Sequence, residues 1–75
     1  MGDHKAVPAR LNLPRLRRKE ASRYLEAVHG VRTAPSTLAK LACVGGGPRF
    51  ERFGSIPLYT PAALDAWVAA KLTAA

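Results

Sequence analysis

The chain has 75 residues, 48% of them hydrophobic, with a formal net charge of +7 and a pI of about 10.6. That is enough for one small domain, which buries only about 60% of the surface its unfolded chain exposes. The cationic surplus points to a polyanionic partner, nucleic acid first and a membrane surface second. The longest apolar run, Ala66–Ala70, is far too short to span a bilayer, and the N-terminal stretch has no apolar signal-peptide core. A single cysteine, Cys43, excludes an internal disulfide framework and fits a reducing cytoplasm. Residues 1–32 hold eight cationic side chains against Asp3, Glu20 and Glu26, so most of the positive charge lies in the first half.

Residues 1–15 show no periodicity and carry Pro8, Pro14 and scattered charge, which predicts a basic, disordered arm. Such an arm could follow a phosphate backbone or a minor groove, with Arg10 and Arg15 as contacts. The folded domain is expected over residues 16–75. Arg17, Arg18 and Lys19 stand where a helix begins, although a helix N-terminus is already positive. An approaching phosphate would turn that local cost into a gain, so these three are candidate backbone contacts.

Ala21, Tyr24, Leu25 and Val28 fall at i, i+3, i+4, i+7, one apolar stripe of a first helix, and Gly30 ends it. His29 is expected to meet the last carbonyls of that helix. Val31-Arg32-Thr33 crosses to a second helix, with Thr33 as the expected cap and Pro35 in the first turn. Leu38, Leu41 and Ala42 give that helix a narrow inner face. Ser36, Thr37 and Lys40 point outward, and Cys43 is expected to be a buried structural thiol. Two helices about a short glycine-containing turn predict a helix-turn-helix, whose second helix enters the DNA major groove. Arg32 in the turn is a further candidate contact.

Gly45-Gly46-Gly47-Pro48 ends the second helix. No Lys-Ser/Thr follows the glycines, so they predict a turn and not a phosphate-binding loop. Arg49-Phe50-Glu51-Arg52-Phe53 and Ile56-Pro57-Leu58-Tyr59 then alternate about Gly54-Ser55, which predicts a β-hairpin. Pro57 cannot donate to a ladder and so belongs on an edge. Arg49, Arg52 and Ser55 equip the hairpin to touch phosphate as a wing. Thr60 caps a last helix with Pro61 at its first position. Leu64, Trp67, Val68 and Leu72 form its stripe, with Trp67 expected in the core. Ala62, Ala63, Ala66, Ala69 and Ala70 suit tight packing, within the domain or against another copy.

The fold class expected is therefore mainly α with a small β-hairpin, a winged helix-turn-helix. Lys19-Glu20-Ala21, Tyr24-Leu25, Ser36-Thr37-Leu38, Gly46-Gly47-Pro48, Phe53-Gly54, Tyr59 and Leu64-Asp65-Ala66-Trp67-Val68, in that order, resemble the excisionase-type winged helix-turn-helix family, related to the MerR-like fold and including AlpA-type regulators. The resemblance spans residues 16–72. It implies sequence-specific binding of double-stranded DNA, with Ser36, Thr37 and Lys40 offered to the major groove and Arg52 and Ser55 to the neighbouring backbone or minor groove. It further implies a recombination directionality factor that binds and bends DNA near an attachment site, in a bacterial or phage cytoplasm. Its partners would be an integrase or recombinase and further copies of itself bound cooperatively on DNA. Two departures stand out: Arg17 or Arg18 replaces the usual capping Thr or Ser, and Ser55-Ile56 makes the wing tip less basic than the family's.

No nucleophile, base and orienting group can be assembled from these residues, and His4, His29 and Cys43 lack the spacing of a zinc site, so neither enzyme activity nor a cofactor is expected. Two other readings remain open. One is a small transcriptional regulator using the same surface. The other is a protein-interaction module using the neutral last helix. RNA binding is disfavoured because Phe50, Phe53, Tyr59 and Trp67 are expected to be claimed by the core.

Overall fold

A computed structural model describes residues 11–73. Residues 1–10 of the arm expected over 1–15, Arg10 among them, lie outside the described residues. Among the described residues, three helices and one two-stranded antiparallel hairpin follow in the order α1 (Arg18–His29), α2 (Pro35–Val44), β1 (Glu51–Phe53), β2 (Ile56–Leu58) and α3 (Pro61–Lys71). The chain is thus mainly helical with a small hairpin. Among the described residues, no helix is long and apolar enough to cross a membrane.

α1 forms on the stripe read from the sequence: Ala21, Tyr24 and Leu25 are buried and Val28 is half-buried against them. Its N-cap is Arg17, whose guanidinium has no acceptor to offer the first turn. Glu20 makes the reciprocal half of a capping box alone, accepting from the Arg17 backbone N–H at 3.0 Å. Gly30 closes the helix in the left-handed conformation, its N–H bonded to the Glu26 carbonyl at 3.0 Å.

α2 starts differently from expectation. Its N-cap is Ala34, which has no side-chain acceptor, and Thr33 is buried. The reason is tertiary: the Ser22 hydroxyl donates to the Thr33 carbonyl at 2.6 Å, drawing the turn onto α1 two residues before the helix begins. Leu38 is the fully buried anchor of α2, while Leu41 and Ala42 are half-buried. Cys43, expected inside, is exposed. At 100° per residue it stands about 140° round the helix from Leu38, well off the inner face.

The hairpin turns at Gly54-Ser55, with Phe53 paired to Ile56, Arg52 to Pro57 and Glu51 to Leu58. A two-residue turn makes Phe53–Ile56 a hydrogen-bonded pair, so alternation leaves Arg52–Pro57 non-bonded and the missing N–H of Pro57 costs nothing. Phe53, expected in the core, is 75% exposed. Strand alternation explains it: Tyr59 and Phe50 take the face toward the core, and Phe53 takes the other.

α3 is capped by the Thr60 hydroxyl, which accepts from the Ala63 N–H at 3.1 Å. Leu64 and Val68 are buried. Trp67 is only half-buried, and its indole Nε1 donates to the Gly46 carbonyl at 2.9 Å. Leu72 lies past the helix end and is exposed. Ala62, Ala66, Ala69 and Ala70 are exposed as well, so the alanines other than Ala63 do not pack within the described residues.

The core joins Leu16, Leu25, Leu38, Tyr59 and Leu64, all fully buried. Each such side chain is worth about 1.5–3 kcal/mol of transfer free energy. Leu11 also belongs to it, at 2% exposure. The packed part of the chain therefore reaches back past Leu16, into the stretch expected to be an arm. Reciprocal backbone hydrogen bonds of 2.7 Å between Leu16 and Tyr59 tie the entry to α1 to the exit of the hairpin.

Candidate nucleic-acid interface

The start of α1, the start of α2 and the hairpin border one open cleft. Arg17, Arg18, Lys19 and Glu20 line one side of it, Pro35 and Pro57 the other, around a volume of about 570 Å³. Three cations against one carboxylate make this a cationic hollow. Glu20 is held at the helix start by the Arg17 backbone N–H, and the hollow keeps a surplus of two positive charges.

Arg18 is the most fixed of the three. Its Nε donates to the Tyr59 hydroxyl at 3.2 Å, and its guanidinium stands 6.0 Å from the centroid of Phe50. Arg52 approaches the same ring at 5.7 Å. Phe50 in turn leans on Tyr59 with ring centroids 5.6 Å apart. An exposed cation–π contact is worth about 0.5–1 kcal/mol. Its larger effect here is to hold one cation from α1 and one from β1 in a fixed relation.

Ser36, Thr37 and Lys40 are all exposed on the outer face of α2. By helical position Cys43 joins Ser36 and Lys40, and Val44, 69% exposed, joins Thr37 and Lys40. Sequence reasoning missed Cys43 and Val44 as members of this face. Their spacing of three and four from Lys40 was the signal that could have found them. α2 has no acidic residue in its first turn and no capping side chain, so the positive end of its dipole is left to whatever approaches.

The remaining candidates are more dispersed. Arg49 and Ser55 are exposed, before β1 and at the hairpin turn. Arg32 lies in the turn between α1 and α2 and reaches Glu26 at 3.4 Å, a surface pair worth little. Arg15 pairs with Glu51 at 2.8 Å, which removes the only acidic charge on the hairpin strands.

Away from this side, Asp65 on α3 accepts two hydrogen bonds from α1: the Tyr24 hydroxyl at 2.9 Å and the His29 Nε2 at 2.7 Å. His29 thus turns to α3 and not to the carbonyls of its own helix. Burial, with the hydrogen bond and charge of Asp65 added, pushes the Tyr24 hydroxyl up to about 12. Among the described residues, no group of three or more His, Cys, Asp or Glu is placed to hold a metal ion. No protein-family model matches the chain, and no curated protein matches it.

Proposed function

We propose that this chain is a winged helix-turn-helix that binds double-stranded DNA, with α2 in the major groove and the β1–β2 hairpin as its wing. The observation that carries the proposal is the cationic cleft, in which Arg17, Arg18 and Lys19 meet the first turn of α2 and Pro57 of the hairpin. Phosphate contacts position a protein on duplex and base contacts specify the sequence. Arg17, Arg18, Lys19, Arg49 and Arg52 would serve the first role and Ser36, Thr37 and Lys40 the second. The element order α1–α2–hairpin–α3 supports the same fold.

Within that proposal, the finer role is an excisionase-type directionality factor that binds and bends DNA beside a recombination site, with a recombinase and neighbouring copies as partners. Support for it is the resemblance of the motifs from Lys19 to Val68. The test is selection from a random-sequence duplex pool. Wild type should enrich a defined motif, and Lys40→Ala should lose it while still retaining duplex at low salt. Failure of the wild type to retain any duplex would overturn the proposal.

A further inference from the structure

The hairpin has two unlike faces. Strand alternation with the observed register puts Phe50, Arg52, Pro57 and Tyr59 on one face and Glu51, Phe53, Ile56 and Leu58 on the other. Tyr59 is fully buried and Phe50 is half-buried against the core, so the first face is the inner one. The outer face is apolar apart from Glu51, whose charge Arg15 compensates at 2.8 Å.

At the tip of that outer face stands Phe53. It is 75% exposed and the most exposed of the large hydrophobic side chains among the described residues. Ile56, its cross-strand partner on the same face, is half-buried. Beyond Phe53 there are only Gly54 and Ser55, so the ring sits at the narrowest point of the hairpin. Arg15, Arg52 and Glu51 share a shallow hollow with it, and with Arg15 paired to Glu51 the charge of the adjacent Arg52 is left over. A large exposed aromatic ring costs solubility and contributes nothing to this core, yet it stands beside one uncompensated cation, Arg52.

We infer that Phe53 is an apolar wedge that enters the minor groove of duplex DNA and partly unstacks one base step when the wing docks. The inference rests on the duplex-binding proposal above and deepens it. Exposed apolar side chains used this way kink the duplex toward the major groove, by about 20–90°. The wing would then contribute through bending, which suits a tip with few charges of its own. Arg52, held over Phe50 on the inner face, is left to contact the backbone beside the step that opens.

The experiment uses the full chain and duplexes carrying 2-aminopurine in place of adenine at successive positions beside the site that wild type retains. Wild type should raise the fluorescence at one step and bend the duplex, as read by energy transfer between end labels. Phe53→Ala should abolish the fluorescence rise, at least halve the bend and weaken binding by about tenfold. Phe53→Trp should restore both signals. Far-ultraviolet dichroism checks that both variants fold, which the exposure of the ring favours. Wild-type binding with an unchanged bend and fluorescence in Phe53→Ala would overturn the wedge while leaving duplex binding standing. Failure of the wild type to bind any duplex would overturn both. Dissociation of a wild-type dimer by Phe53→Ala, with DNA signals unchanged, would assign the face to a second copy and also overturn the wedge.

Discussion

Arg18 and Arg52 stand over a single ring, Phe50, at 6.0 and 5.7 Å from its centroid. One cation comes from the start of α1 and the other from the first strand of the hairpin. The ring therefore sets the spacing between two candidate phosphate contacts that are far apart in sequence. Phe50→Leu should keep most of the packing and release both guanidinium groups. The expected result is a few-fold loss of duplex affinity that is the same for every sequence, because preorganisation is lost and no base contact is. Anisotropy titrations with two unrelated duplexes check it.

Arg17→Ala and Arg18→Ala should each weaken binding uniformly across sequences and reduce the salt slope by about 1. Lys40→Ala and Thr37→Ala should behave differently, each costing about 1–3 kcal/mol on the selected duplex and much less on an unrelated one. The contrast between the two pairs, measured as affinity against salt concentration, separates positioning from specifying residues.

Gly47 is a packing position. A Cβ built there would lie 2.8 Å from the Cβ of Leu41, closer than side-chain carbons approach one another. Gly47→Ala forces the loop off α2 and strains the neighbouring contact between Trp67 and the Gly46 carbonyl. A loss of about 1–3 kcal/mol is expected, read as a lower urea midpoint with an unchanged slope. Trp67→Phe removes the indole donor and should cost about 0.5–1.5 kcal/mol.

Burial of the Tyr24 hydroxyl, with its bond to Asp65, gives the fold an alkaline limit. The hydroxyl is pushed up to about 12 in the folded chain, above its ordinary value, so the fold favours the protonated form. Its contribution is complete below the unfolded value of about 10 and is lost as pH rises toward 12. Stability should fall by an amount on the order of 2 kcal/mol across that window. Tyr24→Phe should be less stable at neutral pH and should lack this part of the alkaline loss, as followed by thermal unfolding at a series of pH values.

The features legible in the sequence are those set by local chemistry. The Ala21, Tyr24, Leu25 stripe, the Gly30 cap, the Gly54-Ser55 turn and the Thr60 cap depend on residues within a turn of one another, and each stands as read. The features missed depend on how elements meet. Thr33 loses the capping position because Ser22, eleven residues away, takes its carbonyl. His29 turns to Asp65, thirty-six residues away, and no local pattern announces that partner. Cys43 and Phe53 look apolar enough for a core, but the rotation of α2 on Leu38 and the burial of Tyr59 place both outside. For the candidate interface, Ser36, Thr37 and Lys40 were readable from helical spacing. The meeting of Arg17–Lys19 with Pro35 and Pro57 was not, since it follows from tertiary docking.

Duplex recognition by α2 is the central claim. The direct measurement is a titration of wild type and Lys40→Ala against the selected duplex and a scrambled one of equal length, at low and high salt. Wild type should prefer the selected duplex at both salt concentrations, with affinity falling steeply as salt rises. Lys40→Ala should lose most of the preference and keep most of the salt dependence. Equal binding of both proteins to both duplexes, or no binding at low salt, would contradict it.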